Sequence, residues 1–317
     1  MERILGENLT PEKARIIAER ALEPQKRDKE FFEGEFEKTT EDLKAIKQIN
    51  SYLAQEFEEA GAEEKADHIL PEQIHYISTE SYDKNFPKAA ERGSEAIYFS
   101  TQRAAYINVE AYSGRLAKYH ATLHEATHSV SAQIDSVKKG KKKITSQKCG
   151  YGTITLSKEE KGTFITQFIG FNEAVTEKMT KDVLQKHKDE IFKEFNISEK
   201  EKTNFTPSGY DAFIKILDAV IKKTAEKTGT PEEETWGKIK KGYFDGRMMH
   251  LREIERALGG GALRMLAAIG EPSDFVSQAE TAEMILIYFQ SADEKDKEKI
   301  AKLILSEKEF EKYQKRK

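Results

Sequence analysis

The chain has 317 residues, enough to bury a core of domain size as one large or two modest domains. Lys and Arg number 52 against 56 Asp and Glu, and the net charge of −4 gives no electrostatic case for a nucleic-acid partner. The single cysteine, Cys149, excludes an intramolecular disulfide, no run reaches the apolar length of a membrane span, and Met1 to Asn8 lack the apolar stretch of a secretory signal. The chain therefore reads as cytoplasmic, with no membrane and no nucleic acid among its partners.

Residues 1–65 read as an N-terminal helical region. Ala14, Ile17, Ala18 and Ala21, then Leu43, Ile46, Ile49 and Leu53, carry helical periodicity, with Pro24 between the two stretches and a helix start near Thr40 and Asp42. Residues 66–168 change character. The runs 74–78, 96–100 and 105–109 are short, β-branched and aromatic, and predict three strands of a small sheet. A helix follows over about 113–137, with Leu116, Leu123, Ala126 and Val130 on its inner face. The Gly-, Lys- and Thr-rich stretch 140–166 ends in the alternating run 151–156 and predicts a β-hairpin or flap. Residues 169–317 read as helical: roughly 171–194, 209–228, 231–242, 247–258, 261–269, 274–290 and 293–315, broken at Pro207, Gly229-Thr230-Pro231 and Gly270-Glu271-Pro272. The class is α+β, a small mixed sheet with one helix against it followed by a mainly helical half.

Chemistry concentrates at His124-Glu125-Ala126-Thr127-His128. On a helix, positions i and i+4 share a face, so both imidazoles can reach one metal ion, while Glu125 stands beside them where a carboxylate can take a proton from water. The bland alternative is a surface helix with Thr127 and His128 turned to solvent. Catalytic zinc takes three protein ligands and leaves a fourth position open. The best third candidate is Glu173, in Gly170-Phe171-Asn172-Glu173-Ala174-Val175-Thr176-Glu177; Glu177, one turn on, is placed to accept a hydrogen bond from a ligand imidazole.

An HExxH segment followed by an Asn-Glu-x-x-x-acid helix resembles the gluzincin metallopeptidases, the thermolysin-like branch of the zincins. His124, Glu125, His128, Asn172, Glu173 and Glu177 carry the resemblance, with Glu177 where thermolysin-like enzymes have Asp. Ser208-Gly209-Tyr210 and Gly242-Tyr243-Phe244-Asp245-Gly246 add a softer likeness to small bacterial gluzincin-like proteins. The resemblance implies a zincin-like fold, one Zn2+ held by His124, His128 and Glu173, Glu125 as general base, Asn172 and Glu177 supporting the ligands, and a peptide or protein substrate. It also implies an edge strand beside the HExxH helix, expected at 105–109, and an oxyanion donor, for which Tyr210 comes first and His250 and Tyr151 follow. The alternative function is a zincin-fold module that binds zinc or a protein without catalysis.

Other features read as structural. Gly259-Gly260-Gly261 lacks the Lys-Ser/Thr of a phosphate loop and reads as a helix end. Cys149 has no histidine placed near it in sequence and reads as an unreactive thiol. Trp236 and the stripe Phe213, Ile216, Leu217, Val220 and Ile221 read as core.

Overall fold

The structure is a computed structural model, described at residues 2–6, 33–62, 68–100, 102–139, 142–156, 164–205, 209–270 and 278–315. The first expected helix, with Ala14, Ile17, Ala18 and Ala21, lies outside these residues. In chain order the elements are β1 (Glu2–Gly6), α1 (Thr40–Glu59), β2 (Ile74–Ile77), α2 (Thr79–Asn85), α3 (Pro87–Ala90), β3 (Ala96–Phe99), β4 (Ala104–Asn108), α4 (Arg115–Ser131), β5 (Ala132–Lys139), β6 (Lys142–Cys149), β7 (Gly152–Leu156), β8 (Phe164–Gln167) and α5 (Ile169–Glu194). The helices α6 (Glu199–Asn204), α7 (Asp211–Thr228), α8 (Glu232–Asp245), α9 (Arg252–Leu258), α10 (Ala262–Ala267), α11 (Gln278–Gln290), α12 (Glu294–Ile304) and α13 (Glu307–Gln314) complete the chain. The fold is mixed α and β, as expected, with small sheets and a helical second half.

The chain packs as two compact units, the first made of Met1–Glu56, Lys65–Cys149 and Met179–Pro207, the second of Phe57–Glu64, Gly150–Lys178 and Ser208–Lys317. In the first unit β2, β4 and β3 form a three-stranded sheet in that order, β2 and β4 parallel and β3 and β4 antiparallel. Strand β4 is therefore central: the expected edge strand at 105–109 is corrected, and the edge that packs against α4 is β3. The reason is topological, since a strand that pairs parallel with β2 and antiparallel with β3 has both of its flanks occupied. Ile77, Tyr82, Phe86, Ala104 and Tyr106 form a buried cluster on this sheet, completed by Ile97 and Phe99.

Helix α1 starts where its cap allows. The Thr39 hydroxyl accepts the Asp42 amide at 3.2 Å, and the Asp42 carboxylate accepts both the amide and the hydroxyl of Thr39 at 2.9 Å. Ile46, Ile49 and Leu53 are buried, one stripe of α1 as the periodicity predicts. Helix α4 is shorter than expected. It stops at Ser131, and the residues from Ala132 form β5, which pairs antiparallel with β6 and parallel with β1.

In the second unit β7 and β8 form an antiparallel hairpin. The expected flap over 140–166 is thus divided between two hairpins, β5–β6 and β7–β8. Helix α7 packs against α8, α9 and α11 and buries Ile216, Leu217, Val220 and Ile221, the expected stripe. Phe213 and Trp236 are only half-buried, and Lys178 lies over the Trp236 ring at 5.5 Å. The segment expected as one helix over 293–315 is two, because Leu305 is extended and Ser306 caps α13. Gly259 is the C-cap of α9, as its surroundings in sequence predict.

Candidate metal centre

Helix α4 is buried along almost its whole length. His120, Thr122, His124, Glu125, Thr127, His128, Ser129 and Ser131 are all polar and all buried, with Thr127 at 0% exposure and His128 at 5%. That disposes of the solvent-facing alternative, and buried polar groups are the informative exception in a protein interior. The threonines carry their own partners: Thr122 donates to the Lys118 carbonyl and Thr127 to the Leu123 carbonyl, both at 2.8 Å. The helix start is held by Glu201 of α6, whose carboxylate accepts the Arg115 amide at 2.8 Å.

One turn apart, His124 and His128 hold their rings at a centroid distance of 4.9 Å and an interplanar angle of 74°. Tyr98 of β3 stacks on His128, with centroids 6.5 Å apart and planes inclined by 16°. His128, His124 and Glu173 each offer one donor atom, and these three atoms all lie within 4.8 Å of one another. Zinc with tetrahedral ligands at about 2.0–2.2 Å sets those ligands roughly 3.3–3.6 Å apart. Two imidazoles and one carboxylate are a donor set that catalytic zinc uses, so the residues present fit the ion in chemistry.

The residues around Glu173 are fixed by its own unit. Phe168 turns the chain from β8 into α5 with φ +60°, a conformation bulky residues rarely adopt. Gly170 then brings the first turn of α5 against Ile269, whose carbonyl accepts the Gly170 amide at 3.2 Å; a Cβ at Gly170 would collide with that carbonyl. Asn172 accepts the Tyr151 and Gly152 amides on Oδ1. Thr176 donates to the Asn172 carbonyl at 2.9 Å and pairs with the Tyr243 hydroxyl at 2.7 Å. Glu173 is half-buried, and Glu177, one turn on, is at 0% exposure.

The three expected oxyanion donors differ in what surrounds them. Tyr151 is fully buried, its hydroxyl donates to the Ile239 carbonyl at 2.8 Å, and burial holds its pKa well above the ordinary tyrosine value. Its proton is already spent, so Tyr151 is corrected from a candidate donor to a structural tyrosine. His250 lies with Nε2 3.6 Å from the Asp245 carboxylate, which is buried and also meets Lys241 at 3.1 Å. Tyr210 is half-buried at the start of α7, its ring 5.9 Å from that of Phe213.

Cys149, expected as a thiol with no histidine near it in sequence, has one in space. Cys149, the last residue of β6, sets Sγ 3.4 Å from Nδ1 of His128. The histidine that its sequence neighbourhood lacks is supplied by the hairpin, whose register pairs Cys149 with Ala132, the residue after α4.

No protein-family model, curated protein or solved structure matches this chain. Among the described residues no helix is long and apolar enough to cross a membrane.

Proposed function

We propose that the chain is a zinc-dependent metallopeptidase of gluzincin type, with His124, His128 and Glu173 holding the metal and Glu125 as general base. The observation that carries this reading is the gathering of the three donor atoms within 4.8 Å, with Glu125 buried beside two of them on α4. When bound, zinc supplies a Lewis acid for the scissile carbonyl and lowers the pKa of water to about 7. Glu125 takes a proton from the attacking water as its oxygen bonds to the carbonyl carbon. The same carboxyl group returns that proton to the leaving nitrogen as the C–N bond breaks, giving an acid and an amine. An extended peptide pairs with the edge strand β3, whose Tyr98 stacks on His128. His250, with its ring beside the Asp245 carboxylate, is the oxyanion donor we favour over Tyr210.

Elemental analysis of purified protein tests the centre, with one zinc per wild-type chain expected and a reduced content in Glu173→Ala. Glu125→Gln should keep its zinc and lose peptide turnover by at least about 10²-fold, the scale of a general base. A wild type that takes up no zinc when supplied with it sinks the proposal. Zinc retained with no turnover of any peptide would leave a zinc-binding module in its place.

A further inference from the structure

We propose that a cavity at the start of α4 is a binding site for a free α-amino acid with an apolar side chain. The cavity measures about 220 Å³ and lies wholly in the first unit, between the first turns of α1 and α4, strand β2 and the residue after α5. That is below the roughly 300–1,000 Å³ of a drug-sized ligand site and admits one small molecule. Its inner wall is already satisfied. Lys118 donates to Asp42 Oδ1 at 2.7 Å and lies 4.0 Å from the Tyr76 ring centre, while the other Asp42 oxygen accepts the Thr39 amide and hydroxyl. The Tyr76 hydroxyl meets that of Thr122 at 3.2 Å, and Thr122 donates onward to the Lys118 carbonyl. Ala45, Tyr119 and Phe195 add buried apolar surface. A side chain entering here meets rings, a methyl group and a neutralised ion pair, which favours an apolar side chain over a charged one.

The mouth is different. Arg115 carries five N–H donors in a planar fork, and one of them, on Nη1, goes to the Phe195 carbonyl at 2.9 Å. Its Nε stands 3.9 Å from Glu41 Oε2, too far for a hydrogen bond, and that is the nearest polar partner of the Glu41 carboxylate among the described residues. A guanidinium and a carboxylate set this far apart complement an α-amino acid, whose ammonium and carboxylate share one carbon. The ligand carboxylate takes the Arg115 fork, the ammonium takes Glu41, and the side chain runs inward against Tyr119 and Phe195. A peptide does not meet this pattern, because its two charged ends are separated by the length of its chain. Both charged partners are more than half exposed, so each pair is weak, and the affinity expected is about 0.1–1 mM. By the helical rise per residue, Arg115 lies about 14 Å along α4 from His124, so this site is separate from the candidate metal centre and does not rest on it.

The test titrates L-leucine into 15N-labelled full-length protein and follows the backbone amides of Glu41, Ala45, Lys118 and Tyr119. Saturable shifts at these amides, with a Kd of about 0.1–1 mM, are expected. N-acetyl-L-leucine, which has no ammonium, and L-leucinamide, which has no carboxylate, should each bind about 5-fold more weakly. Glycine, which leaves the interior empty, should bind at least about 10-fold more weakly. Glu41→Gln should weaken leucine by about 5-fold and leave N-acetyl-L-leucine unchanged, and Arg115→Gln should weaken leucine while leaving L-leucinamide unchanged. The analogue series runs on the wild type alone, so it decides even where a variant fails to fold. No saturable shift at these amides up to about 10 mM leucine overturns the proposal. So does a wild type that binds N-acetyl-L-leucine, L-leucinamide or glycine as tightly as leucine.

Discussion

Asn172 accepts the backbone amide of Tyr151 on Oδ1 at 2.9 Å, and the next amide, of Gly152, on the same atom at 3.2 Å. The residue before the proposed ligand Glu173 is thereby tied to the start of β7, in a place where Asn172 is 3% exposed. Asn172→Ala leaves two amides without that acceptor, and stranded buried donors cost about 1–3 kcal/mol each. Chemical denaturation should show a loss of about 2–4 kcal/mol, with zinc affinity falling alongside it. A variant as stable as the wild type would mean that Asn172 does not hold this turn.

Gly170 is required by a close approach rather than by its φ. Alanine there drives Cβ into the Ile269 carbonyl, a backbone atom that cannot swing aside. Overpacking of this kind costs about 1–3 kcal/mol. Because Glu173 stands one turn further on, Gly170→Ala should also weaken zinc binding, which isothermal titration with zinc will read directly.

The oxyanion donor is separable by kinetics. Tyr151→Phe removes a hydroxyl that serves the Ile239 carbonyl, and it should cost about 1 kcal/mol in stability while kcat at saturating peptide stays near wild type. His250→Ala should keep its zinc and lower kcat by about 10²–10³-fold. If Tyr210→Phe produces that loss and His250→Ala does not, the roles of the two residues are exchanged.

Acid will loosen the first unit at Asp42. Burial pushes the Asp42 carboxyl up, but the Lys118 ammonium at 2.7 Å and the Thr39 amide and hydroxyl outweigh it and hold the pKa below the ordinary value. A folded pKa below the unfolded one, about 3.9, adds stability that is present above that value and lost as pH falls through the lowered one. Thermal melts of Asp42→Asn against wild type should therefore differ most at neutral pH, by about 1–2 kcal/mol after solvent screening. The difference should close below about pH 4. A gap that is constant with pH would show that packing, not charge, is what Asp42 contributes.

Local pattern made half of the candidate metal centre legible. His124, Glu125 and His128 lie within five residues, and helical geometry alone puts the two imidazoles on one face. Glu173 stands 45 positions beyond His128, and no local rule spans such a gap; it was reachable through the acidic start of its own helix and the resemblance that followed. The strand order was not legible, since β4 comes last of its three in sequence yet lies between the other two. The end of α4 was hidden by an ambiguous period. Val130, Ile134 and Val137 recur at helical spacing, yet Ala132 begins β5. That strand is also what brings Cys149 back to His128 through its pairing with β6, so the misplaced helix end and the unseen thiol have one cause.

A single carboxylate governs two helix starts. Glu201 accepts the Arg115 amide at the head of α4 on Oε1, while Oε2 accepts the Ser198 amide and hydroxyl that begin α6. The start of α6 cannot unravel around Glu201 without releasing the group that holds the start of α4. In native-state hydrogen exchange the amides of Arg115 and Ser198 should share one opening free energy, marking the ends of α4 and α6 as parts of one cooperative unit. The segment that carries the HExxH residues would then begin its unfolding from a site more than eighty residues away in the chain.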